Sequence, residues 1–114
     1  MGLGIVFSTV DIRCSNLDAI LSRLTGEGVA VLLTGMRAPP NYGLAYADAF
    51  KAIYPELAAK HGVALYPFFL DGVAARPELN QNDGLHPNAR GVAVIVEGIL
   101  PDVKRLLESV NQQP

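Results

Sequence analysis

The sequence predicts an α/β chain built on a short parallel sheet of two or three strands with three main helices. Short apolar runs of strand length alternate with longer stretches whose apolar residues recur at helical spacing. Among the former, Val29-Ala30-Val31-Leu32-Leu33 has no polar interruption, as in a strand covered on both faces. Helical stretches of this length between strands imply βαβ units, hence parallel pairing with right-handed crossovers.

In chain order, Leu3-Gly4-Ile5-Val6-Phe7 reads as a brief strand leading into Ser8-Thr9. Ser15 and Asp18 then form a capping pair, ahead of a stripe of Leu17, Ile20, Leu21 and Leu24 that Gly26 and Gly28 terminate. After the Val29–Leu33 strand, Gly35 to Gly43 is a loop, because Pro39 and Pro40 remove donors and fix the backbone. A second helix carries Ala49, Phe50, Ile53, Tyr54 and Leu57, is kinked at Pro55, and ends with the cationic Lys60-His61 before Gly62. Tyr46 and Tyr54 pack their rings in the core. Val63 to Phe69 is the third apolar run and Asp71 to Asn82 a long polar loop. The last helix runs from about Asn88 to Val110, with Val92, Ile95, Val96, Ile99, Val103, Leu106, Leu107 and Val110 on one side.

Composition narrows the functions. The chain has 114 residues, one domain's worth, and a formal net charge of -2, so it lacks the basic surface that would hold nucleic acid. No apolar run has the length to cross a bilayer, and residues 1–10 carry neither a basic n-region nor a cleavage site, which gives a cytoplasmic expectation for the chain as it stands. Cys14 is the only cysteine beside two histidines, which excludes an internal disulfide and argues against a metal site. Cys14 and Arg37 read as ordinary side chains, and His61 as a helix-terminal cation.

The chemistry points to Asn82-Asp83-Gly84-Leu85-His86-Pro87-Asn88. Gly84 can take the positive φ that a tight reversal needs, and Pro87 biases His86 away from the α region, so carboxylate and imidazole can turn toward each other before the helix starts. Such a carboxylate fixes the ring tautomer through Nδ1 and leaves Nε2 to accept a proton from a nucleophile. His86 would be the base and Asp83 its orienter; the bland alternative is a surface turn beside a helix.

Asp83-Gly84-Leu85-His86-Pro87-Asn88 resembles the last block of the SGNH (GDSL) hydrolases. Gly35-Met36-Arg37-Ala38-Pro39-Pro40-Asn41-Tyr42-Gly43, followed by Tyr46 and Ile53-Tyr54-Pro55, is similar to their arylesterase, lysophospholipase and thioesterase branch. The resemblance runs from about Asp11 to the end of the last helix. It implies a flavodoxin-like three-layer sandwich, here partial, over residues 1–114 with an atypical segment 1–10. It further implies that Asp83 and His86 are the acid and base of a Ser-His-Asp triad, and that Met36, Arg37, Pro39, Asn41 and Tyr42 line the acyl-binding cleft.

Two family blocks are missing: the Gly-Asp-Ser that carries the nucleophile and the Gly-x-Asn-Asp that helps form the oxyanion hole. Against the family pattern the chain begins inside the domain. Ser8 is the candidate nucleophile, since it would stand at a strand's carboxyl end, where ligands collect in open parallel sheets; a serine from another chain, or water, is the alternative. The expectation is a serine-type hydrolase of small esters or thioesters without cofactor or metal, weakly active for want of oxyanion donors. Its rival is an inactive truncated domain serving assembly or binding. Both anticipate a homo-oligomer, twofold or swapped, because a sheet this short leaves an edge unpaired. Related enzymes are often exported.

Overall fold

The computed structural model describes residues 2–38 and 43–111, with side chains over 14–38 and 43–110. The elements are helix α1 (Gly2–Gly26), strand β1 (Leu32–Thr34), helix α2 (Leu44–His61), strand β2 (Ala64–Tyr66), a 3-10 turn at Pro77–Leu79 and helix α3 (Ala89–Asn111). They fall into two compact units, Met1–Pro67 and Phe68–Pro114.

In the first unit α2 connects two parallel strands, the βαβ arrangement read from the alternation of apolar runs. The register sets Leu32, Leu33 and Thr34 opposite Ala64, Leu65 and Tyr66. Backbone bonds extend the ladder at both ends, from Ala64 N to Val31 O (3.3 Å) and from Gly35 N to Tyr66 O (2.7 Å). At Gly35 the strands come so close that a Cβ would collide with the Pro67 carbonyl. The core consists of Leu21 from α1, Leu33 from β1, and Tyr46, Phe50, Ile53, Tyr54, Leu57 and Ala58 from α2. Both tyrosine rings lie in it on either side of Phe50, tilted against it from Tyr46 and edge-on from Tyr54, at centroid distances of 6.0 and 5.9 Å. The spacing that predicted α2 is thus the face it buries, at roughly 1.5–3 kcal/mol for each large side chain. Gly62 closes the helix in the left-handed region, its N–H bonded to Ala58 O.

The N-terminal expectation is corrected. Leu3 to Phe7 is not a strand but part of α1, and Ser15 is inside that helix rather than at its start. An apolar run of five is compatible with either period, and Gly2 to Gly26 contains no proline to stop a helix from propagating backward through Ser15. Asp18, freed from capping, accepts instead from α2: Lys60 Nζ at 2.8 Å and His61 Nε2 at 2.7 Å. Those two bonds, Lys60 first, hold its carboxyl below the ordinary value of 3.8. Ile20 is 53% exposed, so of the α1 stripe only Leu21 is buried, with Leu17 and Leu24 half-buried. β1 also begins later than the apolar run, leaving Val29 exposed.

The second unit packs Val73, Leu79 and Ile95 against each other, with Leu70 and Val94 beside them. Gly91, in the first turn of α3, lies against the chain before it, and a Cβ there would collide with the Leu79 carbonyl. That carbonyl already accepts from Asn88 N at 2.9 Å and cannot retreat without breaking the junction. Gly91→Ala is therefore expected to destabilise the protein by about 1–3 kcal/mol, read as a lower urea midpoint. An unchanged midpoint would show the junction to be looser than its packing implies.

Candidate active site

The second unit presents one charged pair of catalytic type, and local chain geometry creates it. Gly84 stands at φ 70°, which reverses the chain directly after Asp83. The Asp83 side chain folds back over the reversal: Oδ1 accepts from Leu85 N (2.9 Å) and His86 N (3.0 Å). Its second oxygen, Oδ2, meets His86 Nδ1 at 2.5 Å. One carboxylate thus holds both the backbone and the ring of the same histidine.

The turn is fastened at both shoulders. Gln81 N donates to His86 O at 2.7 Å and Gly84 N to Gln81 O at 2.9 Å, while Asn80 and Pro87 form an antiparallel bridge. Asn88 caps α3 through Oδ1 to Gly91 N (3.0 Å), and its amide nitrogen donates back to Glu78 O (3.0 Å) and Asn80 O (3.2 Å). Buried Asn80 in turn donates to the Val73 and Arg76 carbonyls, each at 2.8 Å. Asn80 and Gln81 did not stand out in the sequence as positioning residues. Asn88 did carry a signal, an asparagine three places before Gly91 at the opening of an apolar helix.

The bonds from His86 Nδ1, His86 N and Leu85 N lower the Asp83 carboxyl from its ordinary 3.8 to about 2. At neutral pH it is consequently an acceptor only, so Nδ1 must carry the proton that bridges them. In the neutral ring Nε2 is then left with the lone pair, and the His86 side chain is 72% exposed. The Asp83 side chain is more sheltered, at 41%. A depressed carboxyl stabilises the turn fully above 3.8, and that contribution is lost as pH falls from there through about 2. Carbon-13 titration of Asp83 should accordingly find its midpoint near 2. A midpoint at the ordinary value would mean that the bond to the ring does not persist in solution.

A cleft of about 330 Å³ adjoins this turn, lined by Ala75, Arg76, Pro77, Asn80, Gln81, Asn82 and Gly84. It touches the chain on either side of Asp83, although neither the carboxylate nor the imidazole lines it. Leu85, between the paired residues, is 67% exposed.

The other sequence candidates belong to the first unit. Met36 is half-buried against its core and Arg37 is exposed, both directly after β1. Pro39, Asn41 and Tyr42 lie outside the described residues. Ser8 is inside α1, which removes the strand end that singled it out; its side chain is outside the described set. His61 is the terminal residue of α2, and its ring is buried against Asp18. Among the described residues no three His, Cys, Asp or Glu side chains are grouped to hold a metal ion, and no helix is long and apolar enough to cross a membrane.

No protein-family model matches the chain. Curated relatives do. Esterase TesA of Pseudomonas aeruginosa is 40% identical over 92 residues, covering 81% of this chain and 46% of that protein. An arylesterase of Vibrio mimicus is 40% identical over 93 residues, 82% of this chain and 46% of the relative. The thioesterase 1/protease 1/lysophospholipase L1 of Escherichia coli is 37% identical over 91 residues, 80% and 44% respectively. Among solved structures, TesA superposes with a TM-score of 0.79 at 37% identity over 85% of this chain and 54% of its own. AlinE4, an esterase of the SGNH-hydrolase family, gives 0.63 at 45% identity over 86% and 52%. The chain thus spans about half the length of the relatives it matches. Over about four fifths of its own length it is homologous to the esterases of the SGNH-hydrolase family.

Proposed function

We propose that this chain supplies the acid–base pair of a serine-type hydrolase of carboxylic esters or thioesters, with His86 as the base and Asp83 as its orienter. The observation that carries the reading is the 2.5 Å bond from Nδ1 to an ionised carboxylate on an exposed imidazole, which leaves Nε2 as the proton acceptor. Homology to esterases and a thioesterase supports it. In the first step Nε2 takes the proton of a serine hydroxyl as its oxygen attacks the substrate carbonyl. The imidazolium, steadied by Asp83, then gives that proton to the departing alkoxide or thiolate. Water repeats the sequence on the acyl-enzyme, with the acid released and the serine restored. The reaction so written requires no cofactor. Met36, Arg37, Pro39, Asn41 and Tyr42 are proposed to wall the acyl site, on their resemblance to the family loop.

With the strand-end argument for Ser8 gone, chemistry must identify the nucleophile. Labelling the full chain with a fluorophosphonate, followed by peptide mass spectrometry, should find a serine adduct that is absent from the His86→Ala variant. An adduct on Ser8 would assign it as the nucleophile. Failure to label, together with hydrolysis that His86→Ala leaves unchanged, would overturn the proposal. A chain that neither labels nor hydrolyses esters would favour the second reading, an inactive assembly or binding module.

A further inference from the structure

The stretch from His86 to Asn88 is laced to the one that precedes the turn. His86 O accepts from Gln81 N (2.7 Å), Pro87 O accepts from Gln81 Nε2 (3.3 Å), and Asn88 N donates to Leu79 O (2.9 Å). All of these bonds are internal to the second unit. The half-buried Asn88 side chain adds a three-way tie. An asparagine offers one carbonyl oxygen and two N–H donors, and all three are met: Oδ1 accepts from Gly91 N, while Nδ2 donates to Glu78 O and Asn80 O. The first bond is the cap of α3, which a serine or threonine hydroxyl also supplies. The other two need a nitrogen with two hydrogens and are surplus to capping. Both reach back to the segment bonded to His86. One of their acceptors is itself anchored, because the Asn80 side chain is committed to the Val73 and Arg76 carbonyls inside the unit.

From this geometry we infer that Asn88 is a positioning residue for the Asp83–His86 pair: its two donated bonds fix where the chain leaves His86 and so keep Nδ1 within reach of the carboxylate. Transmission is short because Pro87 intervenes. Its ring fixes its own φ and restricts His86, which leaves few dihedrals between Asn88 and the imidazole to absorb a displacement. Asp83 holds the backbone N–H of His86 as well as Nδ1, so a shift of this stretch loosens both bonds together. The value of the placement for catalysis rests on the role proposed for His86; the placement itself does not.

Asn88→Ser separates the two jobs, since it keeps the cap and discards the ties. Carbon-13 titration of the Asp83 carboxyl, near 2 in the native chain, should find the midpoint raised toward the ordinary 3.8 in this variant. Ile95→Val, which thins the core of the same unit and leaves the Asn88 amide intact, should not move it. Ester hydrolysis should fall about tenfold in kcat with KM unchanged, the mark of a displaced base rather than a lost binding contact. Asn88→Thr, which caps likewise, takes over the measurement if the serine variant does not fold. A midpoint unmoved in the folded variant, moved equally by Ile95→Val, or already ordinary in the native chain would each overturn the inference. The titration needs no nucleophile, so it decides the matter even in a chain that hydrolyses nothing. A raised midpoint with undiminished kcat would uphold Asn88 and remove His86 from the chemistry.

Discussion

Replacing His86 by alanine should reduce ester hydrolysis by about four orders of magnitude or more while leaving the fold intact. The size follows from the role. Without a base at Nε2, the serine hydroxyl must ionise against water, and the leaving group departs without a proton. The small structural effect follows from the geometry: the ring is mostly exposed, while its backbone N–H and carbonyl hold the turn and survive the change. Hydrolysis of an activated aryl ester, set beside urea unfolding of the same variant, separates the two. Loss of activity with a preserved midpoint is the expected pattern. Activity within tenfold of native would remove His86 from the chemistry.

The second large effect belongs to Asp83→Asn, where about a 10⁴-fold loss is expected for a different reason. The amide oxygen can still accept from Leu85 N and His86 N, as Oδ1 does at 2.9 and 3.0 Å, so the reversal at Gly84 should persist. The other end of the side chain becomes a donor where Oδ2 accepted. Nδ1 must then present its lone pair, the proton moves to Nε2, and the atom that should take a proton already holds one. Nitrogen-15 shifts of the ring would record the exchange of tautomers directly, beside the fall in kcat/KM. Native activity in this variant would show that the carboxylate does no more than shape the turn.

Legibility in the sequence depended on separation along the chain. Asp83 and His86 are three residues apart, and the residues that force them together, Gly84 and Pro87, stand within the same motif. The amino-acid sequence alone therefore offers their pairing as an expectation, beside the alternative of a surface turn. Asp18 and His61 form a contact across 43 residues, with nothing local to announce it, and local spacing offers Asp18 a capping partner instead. The helix α2 was legible because its buried residues keep one period from Tyr46 to Leu57. The start of α1 was not, since Leu3 to Phe7 is too short for strand and helix periods to diverge. Asn80 escaped notice because its value lies in burial: it serves the Val73 and Arg76 carbonyls from inside the second unit.

The two histidines of this chain show how one pairing of residue types can yield opposite outcomes. In each, an aspartate oxygen hydrogen-bonds an imidazole nitrogen. At His61 the nitrogen engaged is Nε2 and the ring is packed away, so the pair is a rivet between α1 and α2. At His86 the engaged atom is Nδ1 and the ring is mostly exposed, which leaves the same materials open to the proton exchange proposed for it.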